Sequence, residues 1–447
     1  MPYDADAGSA LADLLAHAKK HGADSADASL AWRESLSVEV RLGELEGVER
    51  EETRSVALRA FVGRQQAAAS SSDISLGGLA ALAERVVAMA RSAPEDKFAG
   101  LLDPAYRATA FPELDVADAA APDAAALEAM ARRCEAAALA VEEIANSGGA
   151  EASWDRSQAV YATSDGFLGR AAGTHFSLGV SPIAERDGAK ERDYEYKTRR
   201  FLADLPDPEE IGAVAGARAA RRLGSRKLES TRAGVIFEPR LAGRIIGPFI
   251  SAINGAAVAR GVSFLKDKLG RRVFAPGFEI AEDPFLRRGL ASRAFDGEGA
   301  AVCARKIVED GVAATWLLNA SAARQLNMAP TGHATLGHGG PPGIGASNLA
   351  IRPGTDDLAG LMRNAGRGLL VTEMFSPSLN MNTGDWSVGV SGQWFENGAI
   401  AFPVSEVTVA GDLNDIFARL VAGSDLEERG ALLAPSLFVD DLAVGGL

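Results

Sequence analysis

Histidine is the side chain best suited to moving a proton near neutral pH, and four of the five histidines in this sequence form two close pairs. His17 and His21 flank an Ala-Lys-Lys segment. No carboxylate stands between them to activate water, and two ammonium groups would repel a metal ion. We therefore interpret this pair as the solvated flank of a helix.

The second pair, His333 and His338, lies in a segment rich in glycine and proline, Thr331-Gly-His-Ala-Thr-Leu-Gly-His-Gly-Gly-Pro-Pro-Gly343. This composition predicts a loop rather than a helix. Residues 331–347 contain no Cys, Asp or Glu that could add a third metal ligand. We interpret the loop as part of a substrate groove or a subunit interface; a plain surface loop and a metal site are the alternatives.

Two acidic pairs stand near predicted turns: Glu282 with Asp283, and Asp296 with Glu298. Paired carboxylates can carry out general acid–base chemistry, but at helix and turn boundaries they commonly accept hydrogen bonds from backbone N–H groups. We expect this capping role for both pairs.

Three further residues are candidates for a binding groove because they stand at the ends of apolar segments. Glu373 follows the run Leu369-Leu370-Val371, and Asp385 with Trp386 opens another predicted strand. Strand ends and the loops beyond them often carry functional side chains. The sequence lacks the phosphate-binding loop, the G-x-G-x-x-G fingerprint and the G-x-S-x-G elbow, so nucleotide binding and serine hydrolysis have no support.

The elements that must position these residues follow from apolar spacing. A period of 3.6 predicts helices over residues 9–20, 76–91, 122–147, 209–223, 241–260 and 300–309. Alternation predicts strands at residues 36–40 and 56–62 and over most of 161–202. In the second half, short apolar runs alternate with glycine-rich turns. These patterns predict the α+β class: an N-terminal α/β region with antiparallel strands and flanking helices, then a long, curved, mostly antiparallel sheet with helices.

A domain boundary is predicted at residues 224–231, where Leu228 is the one apolar side chain. The N-terminal α+β domain would cover residues 1–228, with possible sub-regions 1–110 and 111–228. The C-terminal domain would cover residues 229–447.

The composition limits the classes of partner. Against 60 acidic side chains there are 46 basic ones, for a net charge of −14, which opposes nucleic-acid binding. The longest uncharged run, residues 245–259, is shorter than the roughly 20 residues of a membrane span. The N-terminus has no basic, apolar leader, and Cys134 and Cys303 lack metal or redox spacing. We expect a cytoplasmic protein that binds neither nucleic acid nor membrane, with two reduced thiols packed in helices.

Six segments of the second half, in this order, give the chain a resemblance to the TldD/PmbA metallopeptidase family, most closely its PmbA (TldE) branch. They are Ser263-Phe-Leu-Lys-Asp-Lys-Leu-Gly270, Phe295-Asp-Gly-Glu-Gly299, Thr331-Gly-His-Ala334, Gly368-Leu-Leu-Val-Thr-Glu373, Gly384-Asp-Trp386 and Trp394-Phe-Glu-Asn-Gly-Ala-Ile-Ala-Phe-Pro-Val-Ser-Glu406. The resemblance implies a PmbA/TldD-type C-terminal domain and a cytoplasmic peptidase in which TldD and TldE subunits pair to cleave unfolded peptides. In the TldD branch, an H-E-x-x-x-H helix and a later cysteine hold zinc.

This chain departs from that zinc motif. On alignment, Gly247 and Ala252 replace the two histidines and Pro248 replaces the glutamate, and no cysteine follows Cys303. None of the three replacement side chains can bind zinc. The resemblance therefore implies no catalytic residue and no metal in this chain, with zinc expected in a TldD-like partner.

The leading hypothesis is a structural, substrate-binding subunit that pairs with a TldD-like paralogue as a heterodimer, or with itself as a homodimer. Its glycine-rich segment 384–398 could form a sheet edge that receives an extended peptide through main-chain hydrogen bonds. The alternatives are an autonomous peptidase or hydrolase that uses His333 and Glu373, and a binding or regulatory protein with no link to proteolysis.

Overall fold

The computed structural model describes residues 4–446, with the backbone alone for residues 4–6. The expectation of no signal peptide falls partly on residues 1–3, which lie outside the described residues. Helix makes up 24% and strand 40% of the chain, mostly in antiparallel, curled sheets, which confirms the α+β class. Among residues 4–446, no helix is both long and apolar enough to cross a membrane.

The first sheet contains seven strands in the order β3-β2-β1-β4-β5-β6, with β7 paired to β5. All its pairings are antiparallel. The strands are β1 (Ser25–Arg41), β2 (Glu44–Val62), β3 (Gln65–Ser71), β4 (Ile144–Thr163), β5 (Leu168–Arg186), β6 (Ala189–Arg192) and β7 (Glu195–Arg199). Four of them are 17 to 20 residues long, and these are the longest strands in the described chain.

Four helices cover one face of this sheet. They are α1 (Asp4–Lys20), α2 (Leu76–Ser92), α3 (Ala124–Leu139) and α4 (Pro208–Ala220). Ala26 and Ala28 of β1 pack against α1 and α2, whereas Leu36, Val38 and Val40 pack against α3 and α4. Because side chains alternate along a strand, the odd-numbered residues of β1 lie on the opposite face. No helix within residues 4–446 forms a hydrophobic core with them.

The second half begins with β8 (Thr231–Phe237), α5 (Ala242–Ala252) and α6 (Gly255–Ala259). The other helices are α7 (Ala320–Leu326), α8 (Leu358–Ala365) and α9 (Leu413–Arg419). The other strands are β9 (Ile280–Asp283), β10 (Arg305–Glu309), β11 (Val312–Ala313), β12 (Ala334–Thr335), β13 (Gly343–Ile344), β14 (Asn348–Ile351), β15 (Arg367–Met374), β16 (Ser378–Leu379), β17 (Asp385–Glu396), β18 (Ala399–Asp412), β19 (Val421–Ala422), β20 (Glu427–Arg429), β21 (Leu432–Ala434) and β22 (Leu437–Gly445).

Five of these strands close into a ring. The order β15-β8-β22-β18-β17 is completed by antiparallel pairing of β17 with β15. The largest hydrophobic core lies against this ring and includes Val235 of β8, Val388 of β17 and Phe249 of α5. Closure of a sheet removes its free edges.

Three predicted helices differ from the structure. Residues 300–309 contain β10 instead, because the β-branched pair Ile307 and Val308 is buried and a hairpin turn follows at Asp310-Gly311, both with positive φ. The helix predicted over residues 122–147 ends at Leu139, and β4 starts at Ile144. The helix predicted over residues 241–260 is interrupted between α5 and α6, where the Asn254 side chain caps α6.

The two cysteines have different environments. Cys134 is buried in α3, as predicted, and burial raises the pKa of its thiol to about 12. Cys303 is exposed and lies just before β10, so the prediction of a packed helical thiol is wrong for this residue. That prediction rested on the apparent helical pattern of residues 300–309, a segment that contains β10 in the structure.

Candidate functional site

The helix α5 carries the three residues that we predict to stand at the positions of the zinc motif. Ile245, Ile246 and Phe249 bury one face of α5 in the main core. Gly247 and Pro248 are half-buried, and Ala252 is completely buried. Their side chains carry no nitrogen, oxygen or sulfur atom that could bind a metal ion.

No other part of the described chain replaces these missing donors. Across residues 4–446, no group of three or more His, Cys, Asp or Glu side chains is arranged to hold a metal ion. The residues present therefore do not fit the zinc ion that the TldD branch implies, and we derive no chemical step through one.

His333 lies deep in the second half of the chain, with 1% of its surface exposed. Its Nε2 is 2.8 Å from Oε2 of Glu282, and its Nδ1 is 2.7 Å from Oγ1 of Thr331. Burial lowers the pKa of the imidazole, although the hydrogen bond with Glu282 opposes this effect. The ring is therefore neutral at pH 7, and both of its nitrogens are engaged within the protein.

His338 lies on the exposed part of the same loop, where it approaches the N-terminal sheet. Its Nδ1 is 3.5 Å from the hydroxyl oxygen of Ser29 on β1. Gly339, with a positive φ, lies against Ser70 of β3, and a Cβ at this position would be 2.9 Å from the Ser70 hydroxyl oxygen. The loop therefore joins the two halves of the chain, and its two histidines have different surroundings.

Glu373 of β15 forms an ion pair with Arg222, with 2.6 Å between Oε2 and Nη2. Arg222 follows α4 and is also paired with Glu191 at 3.2 Å. This interaction therefore connects the N-terminal half to the ring of strands. His333 and Glu373 have different partners, and the structure gives them no shared contact from which a catalytic pair could be built.

Asp385 and Trp386 begin β17 and point in opposite directions. The Asp385 carboxylate is exposed and accepts a hydrogen bond of 2.6 Å from the Thr383 hydroxyl. Trp386 is 4% exposed and meets Phe237 edge to face at 6.4 Å between ring centres. Its indole N–H has no hydrogen-bond partner among the described residues.

The expected free edge at residues 384–398 is wrong. One side of β17 pairs with β18 from Asp385 to Glu396, and the other side pairs with β16 and then with β15. Gly389 O, between these two partners, accepts a hydrogen bond from Phe375 N at 2.8 Å. A peptide could not add to this strand without displacing one of its present neighbours.

The capping interpretation is confirmed for Asp296 and Glu298, and for Asp283, which accepts a hydrogen bond of 2.8 Å from Phe285 N. It is wrong for Glu282, which lies within β9 and hydrogen-bonds to the buried His333. Asp296 accepts backbone hydrogen bonds of 2.8 to 2.9 Å from Glu298, Ala300 and Ala334. Glu298 accepts one of 2.8 Å from Ala320 at the start of α7. Burial raises the pKa of Asp296 to about 6, although these N–H groups favour its charged form.

Sequence reasoning missed a buried ionic cluster between the two halves. Nε of Arg59 on β2 donates a hydrogen bond of 3.0 Å to the Asp27 carboxylate on β1, and Nη2 of Arg59 lies 3.4 Å from Oε1 of Glu298. The Tyr161 hydroxyl donates to the same Asp27 at 3.1 Å. A charged residue at a buried strand position was the available signal, but its partner at position 298 is 239 residues from Arg59. This cluster fixes the N-terminal sheet against the loop at residue 298.

Three domains of one known family match most of the chain. Sequence models match residues 26–90 as PmbA/TldA metallopeptidase domain 1, residues 114–223 as the central domain and residues 230–446 as the C-terminal domain. The chain belongs to the PmbA/TldD metallopeptidase family.

Individual relatives extend this similarity over nearly the whole chain. The Metalloprotease PmbA homolog of Haemophilus influenzae is 36% identical over 432 residues, 96% of this chain and 94% of the relative. Metalloprotease PmbA of Escherichia coli O157:H7 is 34% identical over 426 residues, which cover 95% and 92% of the two chains.

Solved structures show the same fold. A protein of Bacteroides thetaiotaomicron, named as a proposed modulator of DNA gyrase, is 26% identical, with a TM-score of 0.92 and coverage of 99% and 100%. TldE from Thermococcus kodakarensis has a TM-score of 0.88 at 16% identity, with coverage of 98% and 100%. The second similarity concerns the fold alone.

Proposed function

We propose that this chain is the metal-free, TldE-like subunit of a cytoplasmic peptidase and that a TldD-like paralogue carries its zinc. The observation that carries the proposal is the composition of α5, which has Gly247, Pro248 and Ala252 at the positions that we predict to correspond to the zinc motif. Those side chains can neither bind zinc nor accept a proton from water. The chain would contribute structure and part of the substrate groove.

The proposed reaction is hydrolysis of peptide bonds in extended or unfolded peptides, for degradation or for maturation of a precursor. Its support is membership of a metallopeptidase family and the names of the PmbA relatives. The partner is a protein chain rather than a nucleic acid, in keeping with the net charge of −14. The proposed active form is a heterodimer of this chain with the paralogue. Without the paralogue, this chain could pair with itself, so its oligomeric state should be measured in the isolated protein.

The experiment is reconstitution from separately purified chains. This chain, a paralogue with the H-E-x-x-x-H motif, and a mixture of both are incubated with an unfolded, fluorescently quenched peptide. We expect cleavage only in the mixture, together with a stable complex in size-exclusion chromatography. The control is the paralogue with its motif glutamate changed to glutamine, which should bind this chain without restoring cleavage.

Two results would reject the proposal. Peptide cleavage by this chain without the paralogue would favour an autonomous hydrolase. Lack of any complex, with cleavage by the paralogue unchanged on addition of this chain, would favour a binding or regulatory role outside proteolysis.

A further inference from the structure

One face of the long N-terminal sheet has a run of small side chains, and no helix of the described chain forms a hydrophobic core with it. On β4 and β5 this face carries Ser157 opposite Gly173 and Ala159 opposite Ala171. Ala31 of β1 lies opposite Ala159 in the neighbouring row. Large residues such as Phe176 point to the opposite face, under α3 and α4. The open face therefore has a shallow floor along which a ligand could lie flat.

The floor forms two hollows in successive rows of the sheet. The first, of about 410 Å³, is lined by Arg33, Ser157 and His175, and by Arg200 and Ser292 from outside the sheet. The second, of about 320 Å³, is lined by Glu39, Glu151, other residues of β4 and β5, and the two tyrosines Tyr194 and Tyr196. The first hollow starts at Ala31. The next residue of β1 on the same face is Ser29, and there the loop that carries His338 covers the sheet. The groove is thus closed at one end and open toward Glu39.

Some hydroxyl groups along this floor lack protein partners among the described residues, whereas that of Ser177 is hydrogen-bonded to Thr198 at 2.8 Å. Within residues 4–446, the hydroxyls of Ser35, Ser37 and Ser153 make no hydrogen bond to the protein, although each side chain is half-buried. The Ser157 hydroxyl has a single long contact, 3.5 Å to Gly173 O. Each free hydroxyl can donate one hydrogen bond and accept two, which suits the alternating N–H and C=O groups of an extended backbone.

The guanidinium group of Arg33 stands near the closed end of the groove. The Arg33 side chain is 57% exposed and lies 3.4 Å from Asp155, whose other oxygen is 3.3 Å from Nδ1 of His175. Burial raises the pKa of Asp155, but His175 and Arg33 outweigh this effect and keep the pKa below its usual value. Asp155 remains charged and holds the guanidinium and the imidazole on either side of it.

The open end has the opposite charge. Glu39 and Glu151 lie directly opposite each other on β1 and β4, and both are exposed. Among the described residues neither forms an ion pair, although like charges at directly opposed positions repel each other. Arg33 and Glu39 are six residues apart on the same strand, a separation of about 20 Å at 3.3 Å per residue.

We infer that this groove binds a short extended peptide with free ends, the class of product that a peptidase releases. Its carboxylate would lie at Arg33 and His175, its ammonium group at Glu39 and Glu151, and its backbone on the serine hydroxyls. A span of about 20 Å holds about six extended residues. The peptide class rests on the proposed function, whereas the groove and its charges do not.

Calorimetric titration of the full chain with a hexapeptide of Ala, Gly and Ser with free ends tests the inference. We expect saturable one-to-one binding, with at least about tenfold weaker binding when the peptide is amidated at its carboxyl end. Arg33→Gln should weaken the free-ended peptide about tenfold and remove the difference between the two peptides. Ser153→Leu fills the floor between Arg33 and Glu39 and should weaken both peptides alike.

Arg50→Gln is the matched control, because Arg50 is 70% exposed on the covered face of the sheet and is also paired with one carboxylate, Glu34. It should bind like the parent. Absence of binding, or equal affinity in the parent, Arg33→Gln and Ser153→Leu with unchanged unfolding temperatures, would overturn the inference. Failure of the peptide to bind would not affect the proposal that the two subunits together cleave peptides. Peptide binding in the groove without cleavage by the two-subunit complex would support the groove and reject its role in proteolysis.

Discussion

His333 and Glu282 form a buried hydrogen bond of 2.8 Å between residues that are 51 positions apart. The second oxygen of Glu282 accepts a hydrogen bond of 2.6 Å from Ser347 N. The other nitrogen of the imidazole is hydrogen-bonded to the Thr331 hydroxyl. The pair therefore fixes the loop of β12 and β13 to β9. The imidazole therefore holds the backbone of the loop in place against β9. Neither of its nitrogens is free to bind a substrate.

Removal of this imidazole should lower stability. His333→Ala removes the hydrogen bond to Oε2 of the buried Glu282 carboxylate and leaves only the one from Ser347 N to Oε1, at a cost of about 2 kcal/mol in the free energy of unfolding. His338→Ala, on the exposed part of the same loop, should change it by less than about 0.5 kcal/mol. The urea midpoints of the two variants provide the measurement. Equal midpoints would show that the buried hydrogen bond does not stabilise the fold.

Acid sensitivity should depend on the same residue. Because burial lowers the pKa of His333 in the folded chain, the unfolded chain binds more protons just below 6.5, the ordinary pKa of histidine. The free energy of unfolding contributed by this group must therefore fall as the pH drops through that interval. His333→Gln should give a shallower fall between pH 7 and pH 5.5 than the parent, measured as unfolding midpoint against pH. An identical slope would contradict the assignment of a neutral, buried imidazole.

Glu373 should matter for stability and not for chemistry. Glu373→Gln removes the negative partner of Arg222 at 2.6 Å and should cost about 1.5 kcal/mol, because Glu191 still pairs with Arg222. The reconstituted complex should cleave its peptide at the parental rate per folded molecule. A loss of kcat of a hundredfold or more in a fully folded variant would instead support the autonomous hydrolase that uses His333 and Glu373.

Two glycines of β17 should differ sharply in how well they tolerate substitution by alanine. A Cβ at Gly392 would lie 2.0 Å from Leu370 O on the adjacent strand, whereas a Cβ at Gly389 would lie 3.3 Å from the Phe375 ring. The backbone cannot move away without disturbing the ring of strands, but the Phe375 side chain can. Gly392→Ala should cost about 3 kcal/mol and Gly389→Ala less than about 1 kcal/mol, compared by thermal unfolding. Equal effects would mean that β17 and β15 are not held as closely as the structure has them.

Local patterns in the sequence predicted much of the fold. The alternation of Leu36, Val38 and Val40 identified a half-buried strand, and the spacing of Leu79, Leu82 and Val86 identified α2. The full length of β1 was harder to predict, since its open face carries Ser, Ala and Arg rather than a regular polar pattern. The order of the resembling segments predicted the family, which the domain matches confirm.

Relations between distant residues could not be predicted in the same way. Closure of the ring depends on Gly368, whose Cβ would lie 2.0 Å from Gly234 O on a strand more than a hundred residues earlier. The same is true of the partners of His333 and Glu373, which are distant in sequence. Residues 384–398 suggested a sheet edge because they contain glycine, but pairing on both sides is a tertiary property. The predicted roles of Gly247, Pro248 and Ala252 rest on alignment and stay a prediction.

Metal content measured by mass spectrometry is the most direct test of the proposed metal-free role. This chain and the H-E-x-x-x-H paralogue are purified separately, dialysed against the same zinc buffer and freed of unbound metal. We expect well under one tenth of a zinc ion per molecule of this chain and about one per paralogue. One tightly held zinc ion per molecule of this chain, lost in His333→Ala together with peptide cleavage by the chain alone, would contradict the account.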